Sequence, residues 1–172
     1  MIPFDSKFPE LAETETRVLH VFQDPELPPD EYGFREWYCA DLSCDCQRVM
    51  IIVHSVKTIP KTWATITYGW ESVEFYAKWV PDQETAEYSA GVRLEVLGEQ
   101  SQYAERLLRA FKDLLTDKAY ANRLKRHYHL MKRKAAEEML AELPLKPLGN
   151  YRSRLPRLEK LSGLTPNSKG KI

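Results

Sequence analysis

A chain of 172 residues has room for one domain of ordinary size with its own core, so a metal is optional for folding. Hydrophobic residues at 43% and charged residues at 29% exclude a chain disordered throughout. The net charge is zero, yet residues 1–100 carry 8 Lys and Arg against 18 Asp and Glu, while residues 101–172 carry 17 against 7. Such a dipolar chain can attract itself, within one molecule or between copies, or offer its basic end to an acidic partner.

The opening MIPFDSKFPELAETETR has no basic cluster followed by an apolar stretch of signal-peptide length. No segment approaches the roughly 18 to 20 apolar residues of a membrane helix. These features, with an odd cysteine count, predict a soluble cytoplasmic protein whose thiols stay free or bind metal, and no membrane partner.

In chain order, Thr16 to Gln23 alternates as a half-buried strand, and DPELPPDEYG reads as a surface loop. FREWYC is a short strand leading into the cysteines, and QRVMIIVHSV, β-branched and apolar on both faces, is the central strand. WATITYGW and SVEFYAKWV predict a hairpin about Gly69, and YSAGVRLEVLG a further strand ending at Gly98. The period changes after Gln100. Tyr103, Leu107, Ala110, Phe111, Leu114 and Leu115 predict an amphipathic helix capped by Ser101. Thr116 and Asp117 end it, and a second helix from about Lys118 to Leu143 places Tyr120, Leu124, Tyr128, Met131 and Ala135 on one face. The remainder, residues 144–172, has seven basic residues against one acid with interspersed Pro and Gly, and reads as an extended arm. The expectation is an α+β domain over 1–143, with a mainly antiparallel sheet of five or six strands covered by two C-terminal helices, and a basic tail.

All three cysteines, Cys39, Cys44 and Cys46, fall within eight positions. Three thiolates on a tight loop can converge on one zinc ion at about 2.3 Å each. The intervening Asp41 and Ser43 supply turn chemistry. Their spacing is not that of a common zinc finger, and small buried hydrophobes or a redox pair are the competing readings. A closed structural site wants a fourth ligand, which the cysteines do not provide. His127 is the first choice, because it lies on the apolar face of the second helix and can staple that helix to the loop. His54 is the second choice and Asp45 the third. The plainer fate of His127 is a core histidine hydrogen-bonded to a neighbour.

YCADLSCDCQRV together with RLKRHYHLMK resembles a family of uncharacterised bacterial proteins often seen with a zinc-chelating SEC-C tail. The resemblance covers most of residues 30 to 135 and implies that Cys39, Cys44, Cys46 and His127 belong to one site. The closing PNSKGKI has no cysteine, so the second metal site of that tail is missing here.

The run RLKRHYHLMKRK carries Arg123, Lys125, Arg126, Lys132, Arg133 and Lys134 without an acid. Basic residues interleaved with aromatics can lie along phosphates, and a solvated helix face is the alternative. The aromatics Trp63, Tyr68, Trp70, Phe75, Tyr76 and Trp79 either line a cleft or fill a core. Phosphate-loop, HExxH and GxSxG motifs are absent from the sequence. The predicted function is a non-enzymatic binding or adaptor module with a structural zinc, its partner a protein or a second copy. Nucleic-acid binding through the basic helix and tail is the second reading. A metal-dependent enzyme with Asp45 or Glu36 as base is the third.

Overall fold

The computed structural model describes residues 1–55, 57, 61–78 and 80–142. The expected basic arm, Leu143 and Trp79 lie outside these residues. The elements in order are β1 (Ile2–Pro3), a 3-10 turn (Phe4–Ser6), α1 (Pro9–Glu15), β2 (Arg17–Val21), β3 (Asp30–Tyr38), β4 (Arg48–Ser55) and β5 (Thr62–Gly69). They are followed by α2 (Val73–Tyr76), α3 (Gln83–Ser89), β6 (Gly91–Leu94), α4 (Ala104–Leu114) and α5 (Lys118–Glu142).

The six strands form one sheet with every pairing antiparallel. β4 is central, between β3 and β5, as its apolar content requires, and β1 and β2 pair end to end along the outer edge of β3. Alternation then separates the two faces. Phe34 pairs with Val53 and Val53 with Ala64, so Tyr32, Phe34, Glu36 and Tyr38 share a face with Val49, Ile51, Val53, Ala64 and Ile66. All nine are buried. α4 and α5 cover this face with Leu107, Phe111, Leu124, Tyr128 and Met131, and Phe34 stacks on Phe111 at 5.9 Å between ring centroids. Trp37, Met50 and Thr67 form a row on the opposite face.

The α+β architecture expected from the sequence is therefore present, with four differences. Residues 30–33, expected as the end of a surface loop, are the start of β3, paired with β2 and β4 and burying Tyr32. The hairpin about Gly69 is absent: Ser72 Oγ accepts from the Phe75 N–H at 3.3 Å and Asp82 Oδ1 from the Thr85 N–H at 2.7 Å, so two capped segments become α2 and α3. The sixth strand is cut to four residues, because Tyr88 and Ser89 end α3 and Gly91 turns the chain at φ +75°. At the N-terminus, β1 and α1 add a layer whose few apolar residues give no clear period; Pro9 opens α1 and Phe4 enters the core. Ser101 Oγ accepts from the Tyr103 N–H at 3.1 Å, one turn ahead of the first residue of α4.

The end of β5 is closed tightly. A Cβ on Gly69 would lie 2.0 Å from the Ser89 carbonyl oxygen and 2.6 Å from the Tyr76 hydroxyl. Gly69→Ala must push α3 off the sheet, at an expected cost of about 1–3 kcal/mol, read as a lower midpoint in denaturant with an unchanged slope.

Among the described residues, part of the charge asymmetry is met by pairs within the molecule: Arg106 bonds Asp24 at 2.7 Å and Arg109 pairs with Glu26. No described helix is long and apolar enough to cross a membrane.

Candidate metal centre

The loop from Cys39 to Gln47 joins β3 to β4, and its local chemistry folds it back on itself. Asp41 Oδ1 accepts from the Ser43 N–H at 2.9 Å and the Ser43 hydroxyl at 2.7 Å, while the Cys44 N–H donates to the Asp41 carbonyl at 3.2 Å. These bonds hold the Asp41 carboxyl below the usual range, the Ser43 hydroxyl contributing most. The loop exits through Gln47, whose φ of +46° is a left-handed conformation rarely taken by a side-chain-bearing residue. That turn is fixed from both ends: the Gln47 carbonyl accepts from the Tyr76 hydroxyl at 2.9 Å, and its side-chain oxygen accepts from the Trp70 indole N–H at 3.0 Å.

Helix α5 secures the other side of the loop. Lys132 Nζ donates to the carbonyls of Asp41 and Cys44, both at 2.5 Å, and the Tyr128 hydroxyl donates to Asp45 at 3.2 Å. The result brings the three Sγ atoms within 4.8 Å of one another. Sulfurs at about 2.3 Å around a tetrahedral ion would be about 3.8 Å apart, so the cluster needs only a slight contraction to close on one. Burial pushes the Cys46 thiol up to about 12, with the nearby Cys44 and Cys39 adding to the shift and Lys132 opposing it. Burial also raises Cys44, again with Cys39 beside it. Both shifts hold Cys44 and Cys46 as thiols in the absence of a cation, and a divalent ion among the three sulfurs would reverse them. The sulfurs line a cleft of about 280 Å³, together with Met1, Arg48, Met50, Thr67 and Glu95. Met50 and Thr67 place this cleft on the sheet face away from α4 and α5.

His127 is directed elsewhere. Its Nδ1 lies 2.6 Å from Glu36 Oε2 and its Nε2 2.8 Å from Glu15 Oε2, while the ring stacks on Phe4 at 4.1 Å. Both nitrogens are thus occupied by carboxylates, and the three-cysteine cluster does not include it. The apolar-face placement in α5 is as expected, but that face meets the inner side of β3, where Glu36 waits, and not the cleft. The ring thus bridges two carboxyl groups from separate segments, one through each nitrogen. Glu36 also accepts from the Tyr38 hydroxyl at 2.7 Å, and that hydroxyl lies 3.0 Å from the Leu124 carbonyl.

The alternative ligands, His54 and Asp45, are not in the three-cysteine cluster either. His54 Nδ1 faces the Lys61 carbonyl at 3.2 Å, and Asp45 accepts from Gln47 Nε2 at 2.6 Å as well as from Tyr128. Of the basic residues on α5, Arg123 donates to the Glu15 carbonyl at 2.9 Å, Arg126 pairs with the Glu15 carboxylate, and Lys132 holds the cysteine loop. Lys125 and Arg133 have no ion pair among the described residues.

Glu15 was not singled out from the sequence, and Glu36 only as a candidate base beside a metal, not as the partner of His127. Glu36 had a signal: it is in phase with Phe34 and Tyr38, so a core-facing carboxylate needing a cationic partner follows from strand alternation alone. Glu15 had none, since its position depends on the N-terminal layer.

Burial alone raises the Glu15 carboxyl, but hydrogen bonds from His127 and Arg126 and their charges outweigh it and leave the group below its ordinary value. A depressed folded-state value stabilises the fold above the ordinary glutamate range and loses that contribution as pH falls through the folded value. Facing Glu15 are His127 and the guanidinium groups of Arg123 and Arg126. Glu15→Gln is therefore expected to lower stability at neutral pH and to flatten its decline below pH about 4.5, measured by denaturant titration across the acid range.

No protein-family model, curated protein or solved structure matches this chain. What the fold and site define together is an antiparallel α+β domain with a three-thiol cluster able to hold a metal ion at the end of its sheet.

Proposed function

We propose that the protein is a non-enzymatic binding module whose Cys39, Cys44 and Cys46 hold a structural zinc ion. The observation that carries this reading is the convergence of three Sγ atoms within 4.8 Å on a loop fixed in place by Lys132, Tyr128, Trp70 and Tyr76. All-sulfur donors suit zinc among the common divalent ions. Lys132 offsets the net negative charge that three thiolates leave around a divalent cation.

An enzymatic reading would need a base beside the ion. Glu36 lies on the opposite face of the sheet with His127, and Asp45 is already hydrogen-bonded to Gln47 and Tyr128. The commitment of Arg123, Arg126 and Lys132 to internal partners likewise favours a protein partner over nucleic acid.

Hydrogen exchange with and without zinc tests the reading. Zinc is expected to protect the backbone amides of 39–47 and to leave the centre of β4 unchanged. Equal exchange in the loop with zinc and with chelator would contradict a structural ion there.

A further inference from the structure

We infer that a metal held by Cys39, Cys44 and Cys46 takes its fourth ligand from outside the chain, and that this ligand is a small thiol carrying a carboxylate, entering through the cleft beside Arg48. The inference rests on the metal reading above and goes on to the class of ligand.

The first ground is elimination among the described residues. Tetrahedral zinc needs four donors and the cysteines supply three. No His, Asp or Glu joins the three cysteines in the cluster, and His127 is held between Glu15 and Glu36. Glu95 does line the cleft, but its Oε1 accepts from the Tyr88 hydroxyl at 2.9 Å and its Oε2 faces Arg48 at 3.9 Å.

The second ground is the cleft itself. About 280 Å³ lies against all three cysteines, so an ion there is reached from this side, and the volume suits a molecule of a few heavy atoms. Its walls are chemically divided. Met1 and Met50 offer soft, apolar surface suited to a sulfur and a short alkyl chain. Arg48 presents a guanidinium whose Nη2 donates to Thr67 at 2.8 Å and lies 3.9 Å from Glu95, leaving its other N–H donors for a carboxylate. A thiolate completes the all-sulfur set, with Arg48 lining the cleft and Lys132 on the Cys44 carbonyl of the same loop. On binding, the thiol S–H proton passes to solvent, the sulfur lone pair forms the metal–sulfur bond, and a solvent molecule leaves the metal; nothing is oxidised or reduced.

Cobalt(II) reports the number of thiolates through its sulfur-to-metal charge-transfer absorption. The cobalt-loaded full chain would be titrated with 3-mercaptopropionate, ethanethiol and propionate, with the metal content of the protein followed by gel filtration. The expected result is a rise of about one third in charge-transfer intensity, as three thiolates become four, with cobalt still on the protein. 3-Mercaptopropionate is expected to bind about tenfold more tightly than ethanethiol, and Arg48→Gln to remove that difference, with propionate giving no rise. Equal affinities for the two thiols in the wild-type protein would overturn the role of Arg48, without reliance on the variant. A spectrum indifferent to both thiols, a response to propionate alone, or cobalt stripped by the thiol would overturn the inference and leave the metal site standing. A protein that retains no cobalt at all would overturn both.

Discussion

His127→Ala is expected to destabilise the fold by about 3–5 kcal/mol while leaving its metal content unchanged. The side chain is 1% exposed and joins three segments: Glu15 at the end of α1, Glu36 inside β3, and its own helix α5. Removing it leaves the Glu36 carboxylate buried with only the Tyr38 hydroxyl as partner, and removes the ring on which Phe4 stacks. Glu15 suffers less, because Arg123 and Arg126 remain beside it. The cost therefore resides mainly at Glu36. His127→Leu combined with Glu36→Met is expected to recover most of the loss, since a buried hydrogen-bonded pair replaced whole by apolar groups is often nearly neutral. Tyr38 keeps the Leu124 carbonyl as an acceptor in that variant. Denaturant unfolding of the two variants, with elemental analysis of each, checks both halves. A stable His127→Ala protein that has lost its metal would instead restore His127 as the fourth ligand.

The second large effect concerns the ion. Chelation is expected to lower the melting temperature without unfolding the domain, because the core of β3, β4 and β5 against α4 and α5 forms without the loop. At a free zinc concentration one hundred times the dissociation constant, binding adds about 2.7 kcal/mol. For a chain of this size that corresponds to about 5–10 °C. Lys132→Met is expected to weaken the same increment, since it removes the hydrogen bonds that hold the Asp41 and Cys44 carbonyls. Thermal scans of the zinc-loaded and chelated protein, at fixed concentration, give the shift directly.

Much of this arrangement was legible in the residues. The central place of β4 followed from Val49, Ile51 and Val53, and the buried face of α5 from the spacing of Tyr120, Leu124, Tyr128 and Met131. Clustering in sequence marked Cys39, Cys44 and Cys46 as candidates, while the Asp41 turn and the Lys132 hydrogen bonds to the loop bring their sulfurs within 4.8 Å. The hairpin at residues 63–80 misled because VEFY has strand propensity, while the Ser72 cap that makes it a helix is a single hydrogen bond. The N-terminal layer was invisible for another reason: Phe4 and Ala12 are buried by contacts distant in sequence, and no local period announces them. That layer is what supplied Glu15, and with it the reason why His127 turns away from the cysteines. The acidic first part and basic second part had suggested attraction; the pairs Arg106–Asp24, Arg109–Glu26 and Arg126–Glu15 place part of it inside one molecule.

Elemental analysis of the purified protein and of its Cys44→Ser variant bears most directly on the three-thiol centre. About one zinc per chain in the wild-type protein, lost in the variant while its circular dichroism stays that of the folded domain, is the expected result. A wild-type protein prepared under reducing conditions with zinc present that retains no metal would contradict it.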